Sequence, residues 1–573
     1  MGSPRRRCLG LLLAVLVVFG AVTARLVQLQ VVSPGDYAAR GMAQRLRDVV
    51  LPAERGSIFD RNGQELALSV PQHTVWADPR QVVDPVAAAA ALAPVLGRPR
   101  EELEVQLARE GSFVYLARQV GDELAAAVER LALPGVHLVE ESKRFAPAGS
   151  LAASVLGETD VDNLGVSGLE KQYEASLVGI PGSLSSERGA DGSTIAGGSH
   201  HLVPSKRGLD LVLTIDRSLQ FEVEQALVQQ VAATGAEGGT AVVMDPTTGE
   251  ILAMANIGRD GAGNPVPIKE NRAVTAVFEP GSVNKVITVA AGIEEGLFEP
   301  DTVLTVPDTL KVSIKDFSDH EPHPDAQWSV SDILTQSSNV GTIMLAQRLG
   351  HEKVSDYLTR FGLGQPSGLG FPQETRGITR QRWDSTDIGS IPIGQGVAVN
   401  ALQMLQTYNT LANGGVWVQP RLVKATVDAE GDERPAPASK SRRVVSEETA
   451  DKLTAMLSNV VNNGTGVNAR IQGYTVAGKT GTARKNDLVN GGYESGAYFA
   501  SFAGFVPAES PRLSALVVLD EPRPTYYAGV VVAPVFARIS QYALRTLRIP
   551  PPAATGSLAD VPETDPVSVE LPD

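Results

Sequence analysis

Phe278-Glu-Pro-Gly-Ser-Val-Asn-Lys-Val-Ile-Thr-Val-Ala-Ala-Gly292 is the stretch on which the fold turns. Pro280-Gly281 reads as a turn into a helix start. From Val286 to Gly292 the helix is apolar nearly all round, which predicts a buried central helix. Ser282 and Lys285 lie three positions apart, and no other Ser-x-x-Lys occurs in the chain. Residues i and i+3 share a helix face, so the amine can reach the hydroxyl. A serine is a poor nucleophile until a neighbouring base takes its proton. Lys285 is that base if its pKa is lowered. A helix N-terminus and an apolar surrounding both push a lysine toward neutral.

Working outward, the spacing predicts a sheet around that helix. Asp216 is a good N-cap for a helix running to about Thr234. Gly239–Asp245 and Glu250–Ala255 flank Pro246-Thr-Thr-Gly249 as strand, turn, strand. Tyr474–Ala483, Ala497–Val506 and Leu513–Leu519 read as three consecutive strands, and Ala533–Leu547 as a closing helix. Strands at both ends of a domain around a helical middle imply an α+β domain, an antiparallel sheet flanked by helices. Upstream, Val49 to about Ala77 reads as short strands, with Asn62-Gly63 as a hairpin turn. Helices are expected near 84–96 and 121–131. Residues 25–47 read as a juxtamembrane helix. Ser183–Ser205, rich in Gly and Ser, reads as a loop or bend. Val427–Ser441 is polar and reads as an exposed loop. Pro550–Asp573 is Pro-rich, acidic and without aromatics, and reads as disordered. The expected domains are 1–24 (cytoplasmic N-terminus and anchor), 25–205 (an elongated mixed α/β pedestal), 206–549 (catalytic) and 550–573 (tail).

With 573 residues the chain has room for two to four domains. The net charge of −15 argues against nucleic acid as a partner. Cys8 is the only cysteine, so no intramolecular disulfide forms, and it precedes most of the apolar run, unlike a lipoprotein cleavage site. Arg5, Arg6 and Arg7 precede the uncharged run Cys8–Ala24, which is 17 residues long. That run sits at the short end of bilayer-spanning lengths and is longer than a usual signal-peptide core. Val22-Thr23-Ala24 resembles a signal-peptidase site, so cleavage stays open beside the favoured uncleaved anchor. The arginines would keep the N-terminus cytoplasmic, with the rest facing outward.

Two further motifs follow Ser282: Ser337-Ser-Asn339 and Lys479-Thr-Gly481. Each alone is weak. Ser282-Val-Asn284 also matches Ser-x-Asn; Ser337-Ser-Asn339 reads equally as a helix cap; Lys479-Thr-Gly481 reads equally as a plain edge strand. The ordered trio is far more specific, and is the set found in penicillin-binding proteins and serine β-lactamases. Over residues 5–547 the chain resembles a class B penicillin-binding protein. Ile393-Gly-Gln-Gly396, Val476–Ala483, Phe502-Ala-Gly-Phe-Val-Pro507 and Ala533-Pro-Val-Phe536 carry the likeness in the catalytic half. Arg55–Gly63 and Gly165-Val-Ser-Gly-Leu-Glu170 carry it in the pedestal. Lys143-Arg-Phe-Ala-Pro-Ala-Gly149 is closer to the division type, with Phe145 and Ala146 where tyrosines are expected. Asn284 stands where the family usually has an apolar residue.

The resemblance implies the penicillin-binding/β-lactamase transpeptidase fold and a peptidoglycan D,D-transpeptidase in septal wall synthesis. Ser282 would attack the carbonyl between two terminal D-alanines of a stem peptide, and an amine of a neighbouring stem would resolve the acyl-enzyme. Lys285 would be the base, and Ser337 would pass a proton to the leaving nitrogen. Asn339 would hold the substrate amide. Lys479, Thr480 and Thr482 would bind its carboxylate, with Gly481 allowing close approach. The backbone N–H groups of Ser282 and Thr482 would form the oxyanion hole. β-Lactams would acylate Ser282. The implied partners are stem peptides, a membrane glycan polymerase, division proteins and the membrane; no cofactor or metal is implied. Side-wall elongation, a serine β-lactamase and a non-catalytic β-lactam sensor or scaffold are the alternatives. His320 and His323, with Asp319 and Asp325, match no helical metal spacing. Glu294-Glu295 is expected to be solvated. Arg55, Asp60, Arg61 and Glu170 are expected to form structural ion pairs.

Overall fold

Alternation of inward and outward side chains builds the sheet that carries the site. The computed structural model describes residues 4–32, 46–187, 200–487 and 491–552. Six strands run antiparallel in the order Pro265–Pro267, Ile251–Arg259, Gly238–Met244, Leu513–Asp520, Tyr493–Val506, Ala477–Asn486. Val243, Ala253, Ala255, Val517 and Phe502 point to one face and pack with the helices Arg217–Thr234 and Ala533–Thr546. Their strand neighbours Val242, Met254, Leu516 and Ala503 point to the other face, into the core that holds Lys285–Glu294, Ala401–Ala412 and Glu447–Asn463. This is the two-fold period of a strand expressed as two separate cores. The helix Lys285–Glu294 buries every residue from Lys285 to Ile293. Asp216 caps Arg217–Thr234, its carboxylate accepting from the Leu219 N–H at 3.0 Å.

The chain divides into two compact units. One comprises Met1–Gly56 and Val178–Leu209, the other Ser57–Leu177 and Asp210–Asp573. In the first unit, the helix Pro4–Val27 passes into a π-helical turn, Gln28–Val32. Together they are long and apolar enough to cross a membrane. The expected juxtamembrane helix is corrected at its end, because Leu46–Leu51 is a strand; residues 33–45 lie outside the described ones. The Gly/Ser-rich stretch is likewise not simply a loop. Gly182–Glu187 pairs with both Leu46–Leu51 and His200–Val203. Residues 188–199 and the expected tail from 553 onward lie outside the described residues.

In the second unit, Asn62-Gly63 turns Ile58–Phe59 back onto the strand Glu65–Ala77, as expected, with Gly63 at φ +81°. Ile58–Phe59 also pairs in parallel with Asp210–Leu213. One seven-stranded sheet therefore runs from pedestal strands into catalytic ones. Polar ties reinforce the join. Arg61 pairs with Glu250 at 3.3 Å and Asp60 accepts from the Arg217 N–H at 3.1 Å; within the pedestal itself, Arg144 pairs with buried Glu170 at 2.7 Å. The helices Pro85–Leu96 and Asp122–Arg130 form as expected, joined by Arg100–Leu107. The stretch expected as a polar loop holds a short strand, Glu433–Pro435, paired with Val423–Val427. Glu294 and Glu295 are not simply solvated: Glu294 accepts from the Ser446 N–H at 2.9 Å and Thr449 Oγ1 at 2.6 Å, and Glu295 from Tyr357 Oη at 2.9 Å.

Gly292 lets the buried helix pack against Phe298. A Cβ there would meet the Phe298 ring at 1.9 Å. Gly292→Ala should lower the thermal midpoint, at a cost of roughly 1–3 kcal/mol of overpacking. Thermal melting followed by circular dichroism measures it.

Candidate active site

Ser282 sits in a single 3-10 turn, Gly281–Asn284, that feeds directly into Lys285–Glu294. Gly281 has φ +57°, a backbone that disfavours any other residue. The turn is held from three sides. The Gly281 N–H donates to the Gly394 carbonyl at 3.1 Å. Tyr408 Oη, from the buried helix Ala401–Ala412, donates to the Val283 carbonyl at 2.9 Å. Glu279 accepts from the Gly396 N–H at 2.8 Å and from Tyr493 Oη at 2.9 Å. Asn284 packs fully buried where an apolar residue was expected. Its Nδ2 donates to the Ile391 carbonyl at 2.9 Å, while its Oδ1 finds no partner among the described residues.

Lys285 is completely buried. Burial brings its amine down to about 7, against the charge of Asp319, which favours the ammonium. The amine does not rest on Ser282. It donates to the Ser337 carbonyl and, at 3.3 Å, to Ser337 Oγ. Ser337 occupies the corner between the helices Val330–Thr335 and Asn339–Leu349. Its φ of +60° is left-handed for a non-glycine residue, a strain of the kind found at functional sites. Ser338 is the N-cap, its Oγ accepting from the Gly341 N–H at 2.8 Å. The cap reading of this motif therefore holds for Ser338, and leaves Ser337 free to face Lys285. Asn339 donates through Nδ2 to the Ser318 carbonyl at 3.0 Å. Its Oδ1 is the uncommitted end among the described residues.

Lys479, Thr480, Gly481 and Thr482 lie on Ala477–Asn486, the edge strand of the six-stranded sheet. The free edge runs against the Ser282 turn. A Cβ on Gly481 would lie 2.5 Å from Ser501 Oγ, 2.9 Å from the Pro280 carbonyl and 3.0 Å from Val283. A Cβ on Gly281 would lie 3.1 Å from the Thr482 carbonyl. The Thr482 carbonyl thus faces the turn, and in an extended strand the N–H of the same residue points the same way. Thr480 Oγ1 meets Thr465 Oγ1 at 2.6 Å. Lys479 is fully buried, and its amine donates to the carbonyl and Oγ1 of Thr480 at 3.4 and 3.5 Å. Burial, with neighbouring Lys285, holds its amine well below the ordinary lysine value. Two buried lysines within each other's field favour one neutral amine.

All three motifs converge on one site. The supporting roles of Glu279, Tyr408, Asp319 and Gly394 were not read from the sequence, because they act through tertiary contacts. Glu279, Asp319 and Gly394 lie in stretches that the sequence singled out, whereas Tyr408 carried no signal. His320 and His323 do not converge. His320 Nε2 lies 3.3 Å from Tyr527 Oη, whereas His323 Nε2 faces Asp319 at 3.0 Å. Among the described residues no group of three or more His, Cys, Asp or Glu is placed to hold a metal.

A serine and a buried lysine under a Lys-Thr-Gly edge strand, on an antiparallel sheet covered by helices on both faces, give the chain a transpeptidase-type α+β fold. Residues 239–541 match the model of the penicillin binding protein transpeptidase domain, and residues 50–213 that of the penicillin-binding protein dimerisation domain. The chain belongs to the class B penicillin-binding proteins. It is 36% identical to penicillin-binding protein PbpB of Mycobacterium tuberculosis, covering 94% of this chain and 84% of the relative. It is 36% identical to peptidoglycan D,D-transpeptidase FtsI of Escherichia coli, covering 94% and 92%. Among solved structures it resembles penicillin binding protein 3 of Mycobacterium tuberculosis complexed with aztreonam. That match has TM-score 0.69 and 32% identity, and covers 88% and 98%. A peptidoglycan synthetase from Bifidobacterium adolescentis matches with TM-score 0.73 and 28% identity, covering 92% and 100%.

The depressed Lys285 pKa has a stability consequence. The folded value of about 7 lies below the unfolded 10.5, so the unfolded chain binds more protons between them. Stability therefore rises as pH rises through that window, and at neutral pH the buried amine is a liability. Lys285→Met should raise the melting temperature at pH 7.5 by a few degrees, equivalent to roughly 1–3 kcal/mol. The gain should shrink toward pH 10. Melting curves across pH check both statements.

Proposed function

We propose that this protein is a membrane-anchored peptidoglycan D,D-transpeptidase that cross-links stem peptides through a Ser282 acyl-enzyme. The observation that carries the reading is the fully buried Lys285 amine, shifted toward neutral and in contact with Ser337, one turn from Ser282.

Each residue then has a task. Ser282 Oγ attacks the carbonyl between the terminal D-alanines while Lys285 takes the hydroxyl proton. The carbonyl oxygen gains charge between the N–H groups of Ser282 and Thr482, a donor pair of which each member is typically worth about 3 kcal/mol of barrier. The proton moves from Lys285 through Ser337 Oγ to the leaving nitrogen, and D-alanine departs. An amine of a neighbouring stem peptide, giving up a proton along the reverse path, then attacks the ester. Asn339 Oδ1 accepts from the substrate backbone N–H, since its Nδ2 is taken by Ser318. Lys479, Thr480 and Thr482 bind the terminal carboxylate, whose charge restores the Lys479 ammonium. A Gly481 side chain would force the strand from the substrate and from Ser501.

The same attack on a β-lactam carbonyl leaves Ser282 acylated. The helix Pro4–Val27, with Arg5–Arg7 ahead of its apolar run, supports a single-pass anchor with the catalytic domain outside. The Lys143–Gly149 segment supports septal use. In that use a membrane glycan polymerase and division proteins are the partners.

Ser282→Ala should abolish labelling of the full-length protein by a fluorescent penicillin, and the labelled peptide of the parent should contain Ser282. Equal labelling of parent and variant sinks the reading.

The two lysines should fail differently. Lys285→Ala should lower the limiting acylation rate at saturating β-lactam by 100-fold or more, a loss of about 3 kcal/mol of transition-state stabilisation. Lys479→Ala should mainly weaken apparent binding. Stopped-flow acylation against β-lactam concentration separates the two, and an unchanged limiting rate in Lys285→Ala contradicts its role as base.

A further inference from the structure

Behind the Ser337–Asn339 corner lies a cluster that the acyl-transfer steps leave unused. The Asp319 carboxylate accepts from Ser338 Oγ at 2.6 Å and from the Val340 N–H at 2.9 Å, closing the start of the helix Asn339–Leu349. A third donor, His323 Nε2, reaches it at 3.0 Å. The other ring nitrogen of His323, Nδ1, lies 2.7 Å from the Pro324 carbonyl oxygen. A carboxylate and a backbone carbonyl can only accept, and a neutral imidazole has a single N–H. Both contacts are satisfied only by the imidazolium. Side-chain exposures of 14% for His323 and 5% for Asp319 leave little water to make good a lost bond. The His323 backbone N–H adds a second acid, donating to Asp308 Oδ1 at 3.2 Å. The Trp328 ring packs 4.5 Å away, centroid to centroid, and fixes the imidazole plane.

We propose that His323 is held as a cation and acts through Asp319 as a positioning residue for acyl transfer. It fixes the Ser337–Asn339 corner and cancels the carboxylate charge that Lys285 faces. The proposal rests on the transpeptidase reading of Ser282 and Lys285.

The charges around the base make the consequence definite. The charge that Lys285 feels is that of Asp319, and Lys285 in turn disfavours the ammonium of Lys479. Asp319 alone favours the Lys285 ammonium and so opposes a base that must be neutral. An imidazolium beside Asp319 offsets that field. Around His323 itself the Pro324 carbonyl, Asp319 and Asp308 favour the cation and outweigh burial, so its pKa lies above the ordinary histidine value. If the His323 charge is removed, Asp319 is left uncompensated. Lys285 then holds its proton to higher pH, and fewer molecules are ready to acylate at pH 7.

The test uses the full-length protein in detergent. The apparent second-order rate of acylation by a fluorescent penicillin is measured from pH 5.5 to 9 for the parent, His323→Gln and His323→Arg. Rates are expressed per penicillin-titratable site, so an unfolded fraction drops out. In His323→Gln the lower limb of the profile should move toward higher pH, by on the order of half a unit. His323→Arg, which keeps the charge, should return the limb to the parent position. An unmoved limb in His323→Gln overturns the proposal, as does an equal displacement in both variants. If His323→Gln yields no titratable sites, His323→Arg decides alone, and a displaced limb counts against the proposal. A parent that is not acylated at any pH defeats the transpeptidase reading and this inference with it. That outcome is distinct from an acylated parent whose variant profile stays put.

Discussion

The burial of the Lys285 amine is the constraint on which the rest depends. A lysine in water keeps its proton far above neutral pH and is no base for a serine. In this chain the helix Lys285–Glu294 is packed on all sides, so the amine loses its hydration and is held to about 7. Burial of a titratable group is costly unless its remaining hydrogen bonds are made. Ser337, at the strained corner between two helices, makes them. The second motif is thus the partner that lets the amine stay buried, and in the proposed mechanism it is also the proton path.

The edge strand and the nucleophile turn are fitted by the absence of side chains. Gly281, Gly394 and Gly481 each occupy a point where a Cβ would meet backbone or a neighbouring side chain within about 3 Å. The Lys479 strand can therefore lie against the Ser282 turn with its backbone exposed to a substrate. Glu279, Tyr408 and Asn284 tie the same turn to the Ile391–Gly396 segment and to the buried helix Ala401–Ala412. The geometry is rigid because it is fixed from several elements at once, as acyl transfer requires of a nucleophile and an oxyanion hole.

What was legible in the sequence was local. The all-apolar turns after Lys285, the Asp216 cap, the Asn62-Gly63 hairpin and the three C-terminal strands are each encoded within a dozen residues, and each forms, the first of the strands displaced from 474–483 to Ala477–Asn486. The strands Gly182–Glu187 and His200–Val203 were missed, because Gly- and Ser-rich composition suggests a loop and their pairing joins distant segments. Glu294 and Glu295 were expected in water, yet both are anchored, since a helix end receives partners from segments that chain order does not bring near. Ser337-Ser-Asn339 was open between cap and catalytic motif. The structure gives the cap to Ser338 and sets Ser337 against Lys285, a distinction that the left-handed corner at Ser337 creates. His323 and Asp319 stood out as a histidine–acid cluster, but their partner, the Ser338 cap, lies on another element.

The central claim is that Lys285 is an amine neutral near physiological pH because the fold has removed its water. Nitrogen NMR of isotope-labelled lysine side chains, with the Lys285 signal assigned by its loss in Lys285→Met, measures this directly. The account predicts a titration midpoint near 7 in the unliganded protein. A Lys285 amine that stays protonated above pH 9, like a lysine in water, contradicts it.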